Sequence, residues 1–368
     1  MFVEAETDFG LTILRAHRNF SEPFVFSPIS ICLALSLLHT GANKIARLQI
    51  ADYIARGANE DQLLQHYTFL TAVLNSHSHN VSSVSNNKFF TSGTTSGKFA
   101  QAYLGKIEKH YGVNNGGQEG KVVEEVVEKE EKTTPEIIYY GRDVKTTATT
   151  AYSTRMNAEE NSDVETLMNE LQLNATWDPT YNLQRTTHEP FSVAPEMRKL
   201  VEYLNDGLVF RDYAEDELFE ALILNYSDPT YSLALFLPKK HMGLVETLQK
   251  FSARHFQSLL EKAKRTYLMI KFPVFRIDRT IDLGDVVERM GIFEDFNDEV
   301  VEDSFNVTRA VHTAHIEVTD GGRAVNLNMG KIQDASVLVD GAIYFKADHP
   351  FLFAVLRDRH PLYIGIFC

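Results

Sequence analysis

Ser27 and His312 are the residue types of a nucleophile and its general base. Both lie in apolar segments and no acid partner accompanies either, so the pair is a poor candidate for hydrolysis. The chain has no Gly-x-Ser-x-Gly elbow and no His-Glu-x-x-His zinc pair. Gly93 to Lys98 has the outline of a phosphate loop, but it is one residue short and Phe99 replaces the required Ser or Thr. His77 and His79 fall in a polar run that reads as a solvated turn rather than a metal site. Cys32 lies within an apolar run, as an inert core thiol would, and Cys368 is the last residue. No catalytic residue, metal or cofactor is expected from these motifs.

Composition narrows the classes further. The 368 residues are 44% hydrophobic and 23% charged, which excludes a mostly disordered or fibrous chain. With 36 Lys and Arg against 50 Asp and Glu, the formal net charge is -14. Such a surface repels phosphate backbones, so nucleic acid is not an expected partner. Two cysteines cannot build a disulfide framework. The apolar stretch Phe24 to Leu38 is interrupted by Ser27, Pro28 and Ser30 and is too short to span a bilayer. No signal peptide is visible, so the expected compartment is the cytoplasm, with unconventional export as the alternative. The sequons at Asn19, Asn80, Asn174, Asn225 and Asn306 would matter only after export.

The elements that must position any site follow from periodicity. Asp8 is a candidate cap for a helix carrying Phe9, Ile13 and Ala16. Pro28 opens a second helix that runs through Leu33, Leu37 and Leu38 to Gly41. Helices are also predicted over Glu60–Leu74, Phe99–His110, Lys121–Lys132 and Thr280–Met290. Strands are predicted over Asn87–Thr91, Ser232–Leu237, Thr266–Ile277, Pro350–Leu356 and Leu362–Phe367, the last two joined by a turn at Arg357–Pro361. Gly112 to Asp163 is the least legible part, and its Thr-rich stretch Lys145–Thr154 shows no clear period. Helices lead and strands follow, which gives an α+β class with a largely antiparallel sheet.

Several segments then carry a resemblance. Phe26-Ser27-Pro28-Ile29-Ser30-Ile31, followed by a Leu-rich helix and Gly41-Ala42, resembles the second helix of serpins. Phe345-Lys346-Ala347-Asp348-His349-Pro350-Phe351-Leu352-Phe353 is similar to the serpin signature, and Leu362 to Phe367 to the closing strand. Arg211 to Leu218 and Leu283 to Phe293 resemble further family segments. The resemblance implies a single domain over 1–368, a large central sheet with about nine helices, and an exposed reactive loop at about 320–345. It implies a monomeric, non-enzymatic inhibitor of serine proteases. The protease cleaves the loop and is trapped when the loop enters the sheet as a new strand. By position, Ser27, Ser30, Asn174 and His312 would form the polar cluster where the sheet opens, with Trp177 at its top.

The loop itself departs from the family pattern. Asp320, Gly321 and Gly322 match the hinge, but Arg323 stands where inhibitory members usually carry Thr or Ser. Small residues are expected next, yet the chain has Ala324-Val325-Asn326-Leu327-Asn328-Met329. Val325, Leu327 and Met329 alternate as a half-buried strand would, and Arg323 shares their inward face. Burying an unpaired guanidinium costs several kcal/mol and would slow insertion. Asn174 and Trp177 are also closer together than the family pattern expects. These departures leave a non-inhibitory serpin as the alternative to an inhibitor. Counting forward from Gly322 places the scissile residue at Ser336, and counting back from Pro350 places it at Val339. Leu338 or Val339 would suit a chymotrypsin- or elastase-like protease, and a cysteine protease is the second class allowed. Helix Glu60–Leu74 has no Lys or Arg, so heparin is not an expected partner.

Overall fold

In the computed structural model, residues 1–17, 20–41, 44–75, 77–78, 81–91, 105, 108–109, 114–115, 146–157, 164–181, 183–185, 188–282, 306–319 and 342–368 are described. The helices are α1 (Phe2–Ala16), α2 (Pro28–Gly41), α3 (Lys44–Ala55), α4 (Glu60–Leu74), α5 (Leu244–Lys250) and α6 (Ala253–Lys262). Helix α2 begins at its proline, whose missing N–H falls where a helix has no intrahelical partner to lose. Its residues from Pro28 to Leu37 are buried at every position, which makes it the core helix that its apolar run implies. Helix α4 starts with a capping box between Asn59 and Gln62. Helix α1 runs past Asp8, which is not a cap. That carboxylate sits within the helix and pairs with Arg56.

The strands build two large sheets. The first joins β1 (Phe24–Phe26), β18 (His360–Phe367), β17 (Phe351–Arg357), β12 (Tyr231–Pro238), β11 (Phe219–Asn225), β10 (Tyr203–Glu215), β13 (Lys264–Pro273) and β16 (Ile343–Lys346) in that order, with β7 (Gln184–Arg185) beside β10. The second runs β14 (Phe275–Asp282), β15 (Asn306–Val318), β5 (Thr146–Asn157), β6 (Val164–Ala175), β3 (Val81–Thr91) and β2 (His77–Ser78), with β4 (Asn114–Asn115) beside β3. A hairpin of β8 (Glu189–Ala194) and β9 (Met197–Val201) stands apart. Apart from β13–β16 and β3–β4, the described strand pairs are antiparallel, and the α+β class holds.

Local departures from expectation have local causes. The strand expected over Thr266–Ile277 is two strands broken at Val274, whose N–H bonds Glu202 outside the ladder. The second of them runs to Asp282, so Thr280 opens no helix and instead pairs with Thr313. The turn between β17 and β18 places Asp358 and Arg359 at positive φ of 45° and 73°, the backbone of a tight primed turn. The expected helix Lys121–Lys132 lies outside the described residues. Of the expected helix Phe99–His110 only 105 and 108–109 are described, and they are helical. Among the described residues no helix is long and apolar enough to cross a membrane.

Candidate functional site

Strand β15 presents alternate residues to the core. His312, Ala314, Ile316 and Val318 are buried, while Thr313, His315 and Glu317 are half-buried. His312 is therefore driven inside by register, and burial pushes its imidazole pKa down to about 3. Its Nε2 accepts the Ser27 backbone N–H at 3.0 Å, so the ring is neutral with its proton on Nδ1. Ser27 precedes Pro28 and caps α2, its Oγ accepting the Ser30 N–H at 3.1 Å. Three of the residues singled out from the sequence thus meet. They form a helix cap tied to a strand, which leaves no arrangement for attack: the imidazole nitrogen holds a peptide N–H, not the serine hydroxyl.

Asn174 stands elsewhere. In β6 its cross-strand neighbours are Thr147 of β5 and Ser82 of β3, whereas His312 pairs with Tyr152 of β5. The two levels differ by five residues along β5, about 17 Å at strand rise. The β6 residue level with His312 is Asn169, across Tyr152. Asn169 precedes Trp177 by eight positions, five more than Asn174 does. Sequence reasoning missed this because both asparagines sit in similar polar–apolar surroundings and only pairing sets the register.

Trp177 is buried against Tyr226, with ring centroids 4.8 Å apart and nearly parallel. Its indole N–H donates to the Thr319 carbonyl at 2.8 Å. Thr319 directly follows β15, so the one tryptophan of the chain holds the point where the loop leaves the sheet. The chain next becomes described at Ala342, ahead of β16 in the other large sheet. The hinge residues Asp320, Gly322, Arg323, Ala324, Val325 and Leu327, and the scissile candidates Ser336, Leu338 and Val339, lie outside the described residues.

The feature that sequence reasoning missed most is β5. It pairs antiparallel with β15 from Thr146–Val318 to Asn157–Asn306, and antiparallel with β6 from Thr146–Ala175 to Arg155–Thr166. Strands β6 and β15 therefore run parallel to each other, and β5 fills the place between them in the direction opposite to both. A strand entering from Thr319 would run in that same direction, starting from the Val318–Ala175 end. The segment is rich in Thr, with Ala and Ser, small and β-branched types suited to a strand. That composition was the available signal.

The family model described as Serpin (serine protease inhibitor) matches residues 4–368. Iripin-1 of Ixodes ricinus is 22% identical over 95% of this chain and 90% of its own. Serpin B12 of Mus musculus is 27% identical over 57% of this chain and 52% of its own, so the chain spans about half the length of that curated relative. In three dimensions the chain is similar to a thermophilic serpin, Tengpin, in its native state, with a TM-score of 0.71 at 19% identity over 99% of this chain and 93% of that one.

Proposed function

The chain belongs to the serpin family, and we propose that it is a non-inhibitory member whose central sheet is already complete. One observation carries this reading: β5 is hydrogen-bonded on both sides between β6 and β15, where a cleaved loop would insert. Insertion is favourable because an exposed segment gains ladder hydrogen bonds and burial. With the place taken, the loop gains ladder hydrogen bonds only by expelling a strand of twelve residues already paired on both sides. The exchange is close to neutral, so the force that would drag a protease is missing. Arg323 adds to the barrier, since it would have to enter the sheet on the inward face. The spacing between Asn174 and Trp177 drops out of the argument. Asn169, not Asn174, stands level with His312 across β5.

On this reading a chymotrypsin- or elastase-like protease treats the loop as a substrate and leaves. The test is incubation with proteases of both types, followed by denaturing gels and thermal melts. Cleavage within 336–339, no SDS-stable complex and an unchanged melting temperature are expected. A stable covalent complex, or a large rise in melting temperature on cleavage, would overturn the proposal in favour of an inhibitor that expels β5.

A further inference from the structure

Away from the sheet opening, three residues from distant parts of the chain converge. Glu6 of α1 is fully buried. Its Oε1 lies 2.8 Å from His66 Nε2 of α4, and its Oε2 lies 2.5 Å from His360 Nδ1 at the start of β18. Both imidazoles are largely but not wholly buried, with side-chain exposures of 15% and 19%. Phe2 stacks on the His66 ring at 3.8 Å and Tyr67 meets it edge-on, so the ring is held from two sides. The two imidazoles face one another at 5.7 Å.

The electrostatics are unusual for a structural hydrogen-bond cluster. Burial alone would raise the Glu6 carboxyl pKa, but the bonds to His360 and His66 outweigh it and hold the group below its usual value. The carboxylate is thus kept ionised in the interior. Among the described residues it makes no ion pair with Lys or Arg.

We propose that Glu6, His66 and His360 form a binding site for a divalent transition metal of the zinc class. One carboxylate and two imidazoles are a donor set that suits Zn2+ and Cu2+ and disfavours Ca2+ and Mg2+, which take oxygen ligands. The candidate ligand atoms already lie within 4.8 Å of one another. Tetrahedral bonds of about 2.0 Å place ligand atoms roughly 3.3 Å apart, so the N···O contacts need open by less than about 1 Å. The partial exposure of both imidazoles gives an ion access from solvent. The ion would tie α1, α4 and the β17–β18 hairpin together. Nothing in the linear sequence signals the site, because Glu6 is 60 residues from His66 and 354 from His360.

The test uses the full-length protein stripped with a chelator and titrated with Zn2+ by calorimetry, with Ca2+ and Mg2+ as separate arms. Saturable binding of one Zn2+ and none of Ca2+ is expected, with a higher melting temperature in Zn2+. Co2+ should give the intense visible absorption of a tetrahedral site. His66→Gln and His360→Gln should each weaken Zn2+ binding by at least about 100-fold, the upper end for losing even an outer-shell partner. His241→Gln, in the separate group with Asp348 and His349, should leave it unchanged. Absence of one-to-one binding, an octahedral Co2+ spectrum, unchanged affinity in both His66 and His360 variants, or loss in the His241 variant instead would each overturn the proposal.

Discussion

His312 gives the second large sheet a pH dependence of calculable sign. In the unfolded chain its imidazole titrates near 6.5, while in the fold burial holds it near 3. Between these values the unfolded state binds the extra proton, so stability is fully present above about pH 6.5 and falls as the pH drops toward 3. The loss contributed by this group is at most about 1.4 kcal/mol per pH unit. Urea unfolding at pH 7 and pH 5 should show the drop, and His312→Gln should flatten it while removing the acceptor for the Ser27 N–H. An equally steep drop in the variant would assign the dependence to other groups. Gly365 offers a second residue-scale test. A Cβ there would collide with the Phe24 carbonyl and the Phe353 ring, both in the core of the first large sheet. Gly365→Ala should cost on the order of 1–3 kcal/mol, the range for overpacking a close-packed interior, read from the urea midpoint. A midpoint within error of the parent would mean that the Phe353 ring moves aside freely.

At the scale of elements, β5 decides what the loop can do. Thr150 sits in mid-strand, paired with Ala314 of β15 and Leu171 of β6. Thr150→Pro removes a ladder donor from a central strand and should destabilise the protein by about 1–3 kcal/mol. Combined with Arg323→Thr, it should weaken the hold of β5 and let the cleaved loop compete for the place. The double variant should then gain melting temperature on cleavage, whereas the parent does not. If parent and double variant respond alike, β5 is not what keeps the loop out. The elements also show where sequence reading worked. The span of α4, the proline start of α2 and the paired strands at the C-terminus are local patterns, and they hold within a residue or two. Strand β5 was illegible because a Thr-rich run has no apolar period, and its strand character comes from pairing with β6 on one side and with β15, far along the chain, on the other.

For the molecule as a whole, net charge is the property that acts at a distance. A formal charge of -14, with no Lys or Arg on α4, is the ground for expecting no binding of polyanions. The protein should pass unretained through a heparin column at about 0.15 M salt. Retention that salt elutes would reveal a basic patch that the total charge hides. The core runs continuously from α1 and α2 through the strands of both large sheets, so the sheet opening rests on the main core. That continuity is why a change in the filling of the sheet should be read in the melting temperature of the entire chain.

The sequence by itself determined the class, the family resemblance, the core helix and the identity of the Ser27, Ser30 and His312 set. The class and the core helix follow from residue types, caps and short-range periods, and the Ser27, Ser30 and His312 set from the family resemblance by position. Only the tertiary structure decided that Asn169 rather than Asn174 stands level with His312, that 146–157 completes the sheet, and that Glu6 meets two histidines. Each depends on strand register or on the approach of segments remote in sequence. Such pairings are fixed by burial summed over many contacts, so no local pattern records them.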